Sequence, residues 1–283
     1  MFRKPPKPSV GIIGLGIIGS RVAGHLRKAG FQVAAWNRTP KAEPNFLGSP
    51  AEVANAAEIV QLFVADAQSV FDVIEAFGET LSPRHTVICS ATIGREATLE
   101  AARRVAARGA KFLDAPFTGS KEAAQNAQLL YFVGGDEETL HAVRPVLEAS
   151  GGKGIVAVGA VGQAAVVKVA TNVLSASLVQ SLAEMLAVVK AAGVTPEGFR
   201  LVLEKHGIRN GIIDMKLPKM ASGDYEPHFA LKHMLKDVRL GLDLAREYGL
   251  DLPVTRQTAE AFAEDAANGW AELDFAAAAK RYP

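Results

Sequence analysis

The chain has 283 residues, 49% of them hydrophobic and 22% charged, which fits a folded protein with a sizeable core. At roughly 150 residues per domain, that length predicts about two domains. Thirty-one Lys and Arg against 30 Asp and Glu give a net charge of +1 and no electrostatic case for a nucleic-acid or membrane-surface partner, while the single cysteine, Cys89, excludes an internal disulfide and a multi-cysteine metal site and suits a reducing, cytoplasmic setting.

Met1 to Ser9 is basic and proline-rich with no apolar stretch behind it, and reads as a short disordered lead-in, not a signal peptide. No uninterrupted apolar run reaches the ~18 residues of a membrane span. Ser9 to Ile13 then reads as a strand, Gly14 to Gly19 as a glycine-rich loop, and the following residues up to Gly30 as a helix. Gln32 to Trp36 reads as a second strand, and Ser49-Pro50 as an N-cap followed by proline at the first helical position. Glu58 to Val64, Thr86 to Cys89, Lys111 to Leu113 and Leu129 to Val133 are further strands, with helical patterns between most of them and Gly78 and Gly109 near helix ends. This alternation predicts an α/β, mostly parallel, doubly wound sheet of Rossmann type over residues 1–162.

Around Gly162 the pattern becomes helical throughout. A long interdomain helix is expected at about 163–192, closed by Gly193; at ~1.5 Å per residue it spans about 45 Å. Pro196 to Lys205, Gly211 to Met220, His228 to Tyr248, Pro253 to Asn268 and Leu273 to Lys280 follow as helical patterns. The expected second domain, residues 163–283, is therefore all-helical.

Gly14-Leu15-Gly16-Ile17-Ile18-Gly19 fits G-x-G-x-x-G directly after a strand and opening a helix. Such glycines permit a tight turn and close approach of backbone to a pyrophosphate, and the helix start offers N–H groups and a positive dipole end. The alternative is a turn kept for packing alone. At the end of the second strand an acidic residue would bind the 2′-hydroxyl of NAD. Here Trp36-Asn37-Arg38-Thr39, with Lys41 just beyond, offers a guanidinium and a hydroxyl suited to a 2′-phosphate, so NADP(H) is the expected cofactor. Val64-Ala65-Asp66 and the Thr92 loop lie at strand ends where such cofactors are lined, although Asp66 serves equally well as a helix N-cap. Cys89 reads as a small buried hydrophobe rather than a nucleophile.

Three further stretches accompany the glycine loop: Asp114-Ala115-Pro116-Phe117-Thr118-Gly119-Ser120, Gly162-Gln163 followed by Lys168 and Asn172, and Phe229 to Ala245 containing Lys236-Asp237. Together they resemble the β-hydroxyacid dehydrogenase, or 3-hydroxyisobutyrate dehydrogenase-like, family over nearly the whole chain. Asn37-Arg38-Thr39 and Gly119-Ser120-Lys121 look most like its glyoxylate and succinic semialdehyde reductases. The resemblance implies a 6-phosphogluconate dehydrogenase-like helical domain, Thr118, Gly119, Ser120, Phe229 and Asp237 as substrate-binding residues, and Lys236 as a cofactor contact. Departures are Thr118 where the family has Ser, Ala127 where it has Gly, and Ala91 where one hydroxyl is usual. The short segment after Thr39, with Pro44, lacks a helix the family usually has.

Reduction of a carbonyl needs a hydride at carbon and a proton at oxygen. Lys168, in the first third of an apolar helix, is the expected acid, with desolvation lowering its pKa toward the working pH. Asn172, four residues on, shares its face and can orient it or bind substrate. A lone lysine on an apolar helix is also commonly a snorkelling surface residue. His233 reads as packing or polar surface, and nothing has the spacing of a metal site. The expected partners are a small anionic aldehyde or hydroxy acid and a second copy of the chain packed on the long helix. The rival readings are an imine reductase of similar architecture, in which the position of Lys168 typically holds an acid or tyrosine, and a non-catalytic NADPH-binding module.

Overall fold

The computed structural model describes residues 7–282; Met1 to Pro6, most of the expected lead-in, lie outside the described residues. In chain order the first half contains β1 (Val10–Ile13), α1 (Gly19–Lys28), β2 (Val33–Trp36), α2 (Pro50–Ala56), β3 (Ile59–Leu62), α3 (Ala67–Phe77), β4 (Thr86–Cys89), α4 (Arg95–Ala106), β5 (Lys111–Asp114), β6 (Phe117–Thr118), α5 (Lys121–Gln125), β7 (Leu130–Gly134), α6 (Glu137–Glu148) and β8 (Gly154–Gly159). These strands form one sheet in the order β2-β1-β3-β4-β5-β7-β6, with β8 paired to β7. β2, β1, β3, β4 and β5 are mutually parallel; β7 is antiparallel to β5 and β6 and parallel to β8.

β1, β3 and β4 are buried on both faces, as helical crossovers require, whereas β6 and β8 are partly exposed. Along β1, Val10 and Ile12 pack with Val22, Leu26 and Val143 on one side. Ile13 packs with Val53, Val60 and Ile74 on the other. Ser49 caps α2 through its Oγ, which accepts from Glu52 N at 3.2 Å, and Glu52 Oε2 accepts from Gly48 N at 3.2 Å. This reciprocal cap, with Pro50 behind it, fixes the start of α2. No helix occurs between Thr39 and Ser49. That segment instead turns back along β2, where Leu47 N donates to Ala35 O at 2.9 Å.

The second half contains α7 (Gln163–Ala191), α8 (Pro196–Lys205), α9 (Gly211–Ser222), α10 (Leu231–Glu247) and α11 (Pro253–Asp265). Two expected helices differ. α10 begins at Leu231 rather than His228, because the backbone N–H groups of His228 and Phe229 bond the Asp274 carboxylate instead of a helical turn. The C-terminal pattern is a 3₁₀ helix at Phe275–Arg281, with Asp274 as its cap. β8, α5 and β6 carry no strong periodicity and were not expected from the pattern.

The chain divides into two compact units, Met1–Lys168 and Val169–Pro283. The division falls inside α7, six residues beyond the Gly162/Gln163 boundary expected from the pattern. The first turn of α7 belongs to the sheet unit because it is bonded to the end of β5: Asp114 Oδ2 accepts from Gly162 N and Ala165 N. Farther along, Ala176, Val179, Ala183 and Leu186 of α7 enter a core with Leu203, Leu217, Met234, Val238 and Phe262. By length and composition α7 is apolar enough to cross a membrane; 39% of its most apolar window is buried, and one face enters this core.

Candidate active site

The three glycines of the first loop do three different things. Gly14 has φ +94, and a Cβ there would lie 2.3 Å from Phe63 O. A Cβ on Gly19 would lie 1.9 Å from Gly14 O, so helix and strand meet backbone to backbone. A Cβ on Gly16 would meet nothing within 4 Å, so that backbone is open to approach from outside. α1 opens at Gly19 with no side-chain cap from Ile18 and no acidic residue in its first turn. Its positive dipole end is left without a compensating anion on its own first turn, which suits a phosphate group. Leu15 is buried and Ile17 exposed beside this opening.

Asn37 is committed to the loop: its Oδ1 accepts from Leu15 N at 2.9 Å and its Nδ2 donates to Thr39 O at 2.7 Å. Lys41 also reaches back, donating to Leu15 O at 2.5 Å. Arg38 and Thr39 are exposed beyond this tie. The residues present thus fit a dinucleotide: an open glycine, a helix N-terminus and a solvent-facing guanidinium at the end of β2. Val64 is half-buried and Ala65 exposed after β3. Asp66 caps α3, its Oδ1 accepting from Ser69 N at 2.8 Å. After β4, Ala91 is buried and Thr92 half-buried. Burial pushes the Cys89 thiol up to about 12, which keeps it a neutral hydrophobe.

The stretch after β5 turns through β6 into α5. Thr118 and Ser120 are half-buried, and Gly119, at φ +145, is exposed. Ser120 Oγ caps α5 by accepting from Ala123 N at 3.3 Å, which leaves its hydroxyl hydrogen to donate elsewhere. The start of this stretch, Asp114, is buried and accepts two main-chain N–H bonds at the entry of α7, from Gly162 at 3.1 Å and Ala165 at 2.9 Å. Burial pushes this carboxyl up to about 7, against the lowering effect of the two bonds. Lys168 lies three residues past Ala165, half-buried.

In the helical unit, Asn172 and Asp237 are buried and bonded: Asn172 Nδ2 donates to Asp237 Oδ2 at 2.6 Å. The Lys236 ammonium lies 2.9 Å from Asp237 Oδ1. The close approach that permits this comes one turn later, where a Cβ on Gly241 would lie 2.6 Å from Val173 Cγ2. Phe229 is half-buried against His233 and Phe275. Burial lowers the pKa of His233, with the neighbouring Lys232 and Lys236 adding to it.

Two features escaped the sequence reading. One is the anchoring of α7 by Asp114, a contact across 48 and 51 positions. The other is a buried ion pair, Lys216 Nζ at 2.7 and 2.9 Å from the two oxygens of Asp274. That carboxylate also accepts from the backbone of His228, Phe229 and Ala276, and so fixes the segment carrying Phe229. The only signal in the sequence was a charged residue inside an apolar helical pattern at Lys216.

A family model for the NAD binding domain of 6-phosphogluconate dehydrogenase matches residues 9–162. A second, for the NAD-binding region of NADP-dependent 3-hydroxyisobutyrate dehydrogenase, matches residues 162–282. The chain is 30% identical to the chloroplastic glyoxylate/succinic semialdehyde reductase 2 of Arabidopsis thaliana, over 95% of this chain and 78% of that one. It is 31% identical to the 2-hydroxy-3-oxopropionate reductase of Escherichia coli, over 95% and 94%. Its fold is similar to that of the 3-hydroxyisobutyrate dehydrogenase of Mycobacterium tuberculosis with L-serine, at 26% identity and a TM-score of 0.89, covering 97% of this chain and 99% of that one.

Proposed function

Because the chain belongs to the 3-hydroxyisobutyrate dehydrogenase-like family of β-hydroxyacid dehydrogenases, oxidoreductases that use NADP(H), we propose that it reduces small aldehyde acids to hydroxy acids, glyoxylate and succinic semialdehyde first among them. The observation that carries this reading is Lys168, half-buried in an apolar helix and one turn before a buried Asn172. A cation at that place has a use in proton transfer that surface solvation does not supply.

The reduced nicotinamide, when bound, supplies the hydride. Lys168 donates the proton from Nζ to the carbonyl oxygen. Asn172 is held by Asp237, and its side chain also offers an acceptor oxygen with which to orient an ammonium or a hydroxyl. The Thr118 and Ser120 hydroxyls and the backbone N–H groups at Gly119 and Ser120 bind the substrate carboxylate through charge-assisted bonds. The reading also takes Phe229 and Asp237 as substrate-binding residues and Lys236, whose ammonium lies 2.9 Å from Asp237 Oδ1, as a cofactor contact. Gly14 to Gly19 takes the pyrophosphate, and Arg38 with Thr39 takes the 2′-phosphate; Val64, Ala65, Asp66 and Thr92 line the cofactor from the neighbouring strand ends. The reading includes a homodimer or larger homo-oligomer in the cytoplasm. It is supported by Leu174, Val188 and Met185 on α7, exposed at 71, 58 and 49%.

The test follows NADPH absorbance with glyoxylate, succinic semialdehyde, methylglyoxal, tartronate semialdehyde and a cyclic imine, each repeated with NADH. Turnover of an aldehyde acid, clearly faster with NADPH, is the expected result. Turnover of the imine alone would make the chain an imine reductase, and tight NADPH binding with no turnover would make it a binding module. Arg38→Ala is expected to raise the KM for NADPH by about 10-fold or more and leave that for NADH unchanged, the range of a lost bond to a charged group.

A further inference from the structure

α7 begins at Gln163, directly after Gly162, so its capping position has no side chain. A helix start normally takes its capping oxygen from that residue, which accepts an N–H from the second or third helical position. Here the oxygen comes from the end of β5 instead. Asp114 Oδ2 accepts from Gly162 N at 3.1 Å and from Ala165 N, the third helical position, at 2.9 Å.

The register partner of Asp114 on β7 grips the same turn from the other side. Gly134 pairs with Asp114, and a Cβ on Gly134 would lie 2.5 Å from Ala160 O and 3.3 Å from Ala164 N. α4 closes the third side, with Arg95 Cγ 3.3 Å from where a Cβ on Gly162 would stand. The turn is therefore seated against three elements; Gln163 Oε1 accepts from Ala160 N at 2.9 Å within it, and Asp114 holds the Gly162 and Ala165 amides from outside the helix. Lys168 follows Ala165 at i+3, on the same face of the helix, so the anchored amide and the lysine lie on one stripe.

We propose that Asp114 is a positioning residue for Lys168, holding through the Gly162 and Ala165 amides the turn of α7 from which the lysine projects. The proposal rests on the catalytic reading of Lys168 given above, but the anchor itself does not. Positioning at this distance matters because a displacement of about 1 Å at a reacting group can cost on the order of 10²-fold in rate.

The carboxylate form accepts both bonds at Oδ2 with charge assistance; protonation at Oδ1 leaves Oδ2 a neutral carbonyl acceptor and weakens both bonds. Burial holds this carboxyl near 7, so the anchor weakens within the ordinary working range. The charged and titratable groups near it are Cys89, its register partner on β4, and Arg95 of α4, beside Gly162. Cys89 is pushed up to about 12, so it does not titrate near 7.

The experiment compares wild type, Asp114→Asn and Asp114→Ala in two readouts. The first is hydrogen exchange at the Gly162 and Ala165 amides, which needs no turnover. The second is kcat and the KM for NADPH from pH 5.5 to 9. Asp114→Ala is expected to speed exchange at those two amides and to lower kcat by about 10-fold or more, with the KM for NADPH within about 3-fold of wild type. Asp114→Asn keeps an oxygen for both bonds and cannot ionise. It is expected to hold at every pH the kcat and amide protection that wild type has with the carboxyl protonated, and so to lack the rise expected of wild type through pH 7. Unchanged exchange in Asp114→Ala, or identical pH profiles in wild type and Asp114→Asn, would overturn the proposal. Should Asp114→Ala not fold, the comparison of wild type with Asp114→Asn decides it alone. Absence of turnover in wild type would count against the function, while the exchange data would still decide the anchor.

Discussion

Two buried aspartates organise the two units, and they are satisfied in opposite ways. In the sheet unit, Asp114 puts one oxygen, Oδ2, on two backbone N–H groups, and burial pushes it up to about 7. In the helical unit, Asp274 uses both oxygens on three backbone N–H groups and on the buried ammonium of Lys216. Burial lowers the pKa of Lys216, and the adjacent carboxylate opposes that shift. The counter-ion separates the two: Asp274 is paired with a buried lysine, whereas Asp114 is bonded to amides alone and is a clamp that titrates.

The largest effect should come from breaking the ion-paired clamp. Asp274→Asn leaves Lys216 charged and unpaired in the core and turns an NH₂ toward backbone N–H groups whichever way the amide is placed. A loss of about 3–5 kcal/mol is expected, as for other broken buried pairs, measured by urea unfolding. A loss below about 1 kcal/mol would mean that the pair is not what holds the Phe229 segment.

The titrating clamp should respond with the opposite sign. The carboxyl of Asp114 is raised from an ordinary value near 3.8 to about 7, so between those pH values the native state binds more proton than the unfolded chain. Stability is therefore full at low pH on this account and falls as pH rises through that window. Three pH units bound the effect at about 4 kcal/mol. Asp114→Asn should remove that slope and leave the protein more stable than wild type at pH 8 and about equal near pH 4. Parallel pH–stability curves for the two proteins would contradict the assignment.

The comparison also shows what a sequence can carry. The glycine loop after β1 was legible because Gly14 and Gly19 answer local demands, a positive φ and a backbone contact, that only glycine meets. Ser49-Pro50 was legible for the same reason, since a cap and its helix are adjacent in sequence. The two clamps were not, because Asp114 and Asp274 reach partners tens of positions away and nothing at those positions marks the pairing. His228 to Ala230 looked helical by periodicity, yet long-range bonds to Asp274 won over local propensity.

The smallest effect tests a departure visible from sequence alone. Ala127, where the family has glycine, sits at φ 53, the left-handed region that disfavours a Cβ by roughly 1–2 kcal/mol. Ala127→Gly relieves that strain but loosens the unfolded chain, so a net gain of about 0.5–1 kcal/mol is expected in thermal unfolding. A net loss would show that the methyl group has a packing role.

The central claim is that Lys168 delivers the proton in a reduction driven by NADPH. The most direct measurement is single-turnover NADPH oxidation by wild type and Lys168→Ala on the best aldehyde acid, with NADPH affinity determined alongside. The account predicts unchanged cofactor affinity and a rate lower by about 10²–10⁴-fold, the cost of losing a general acid. A Lys168→Ala protein that turns over at close to the wild-type rate would contradict it.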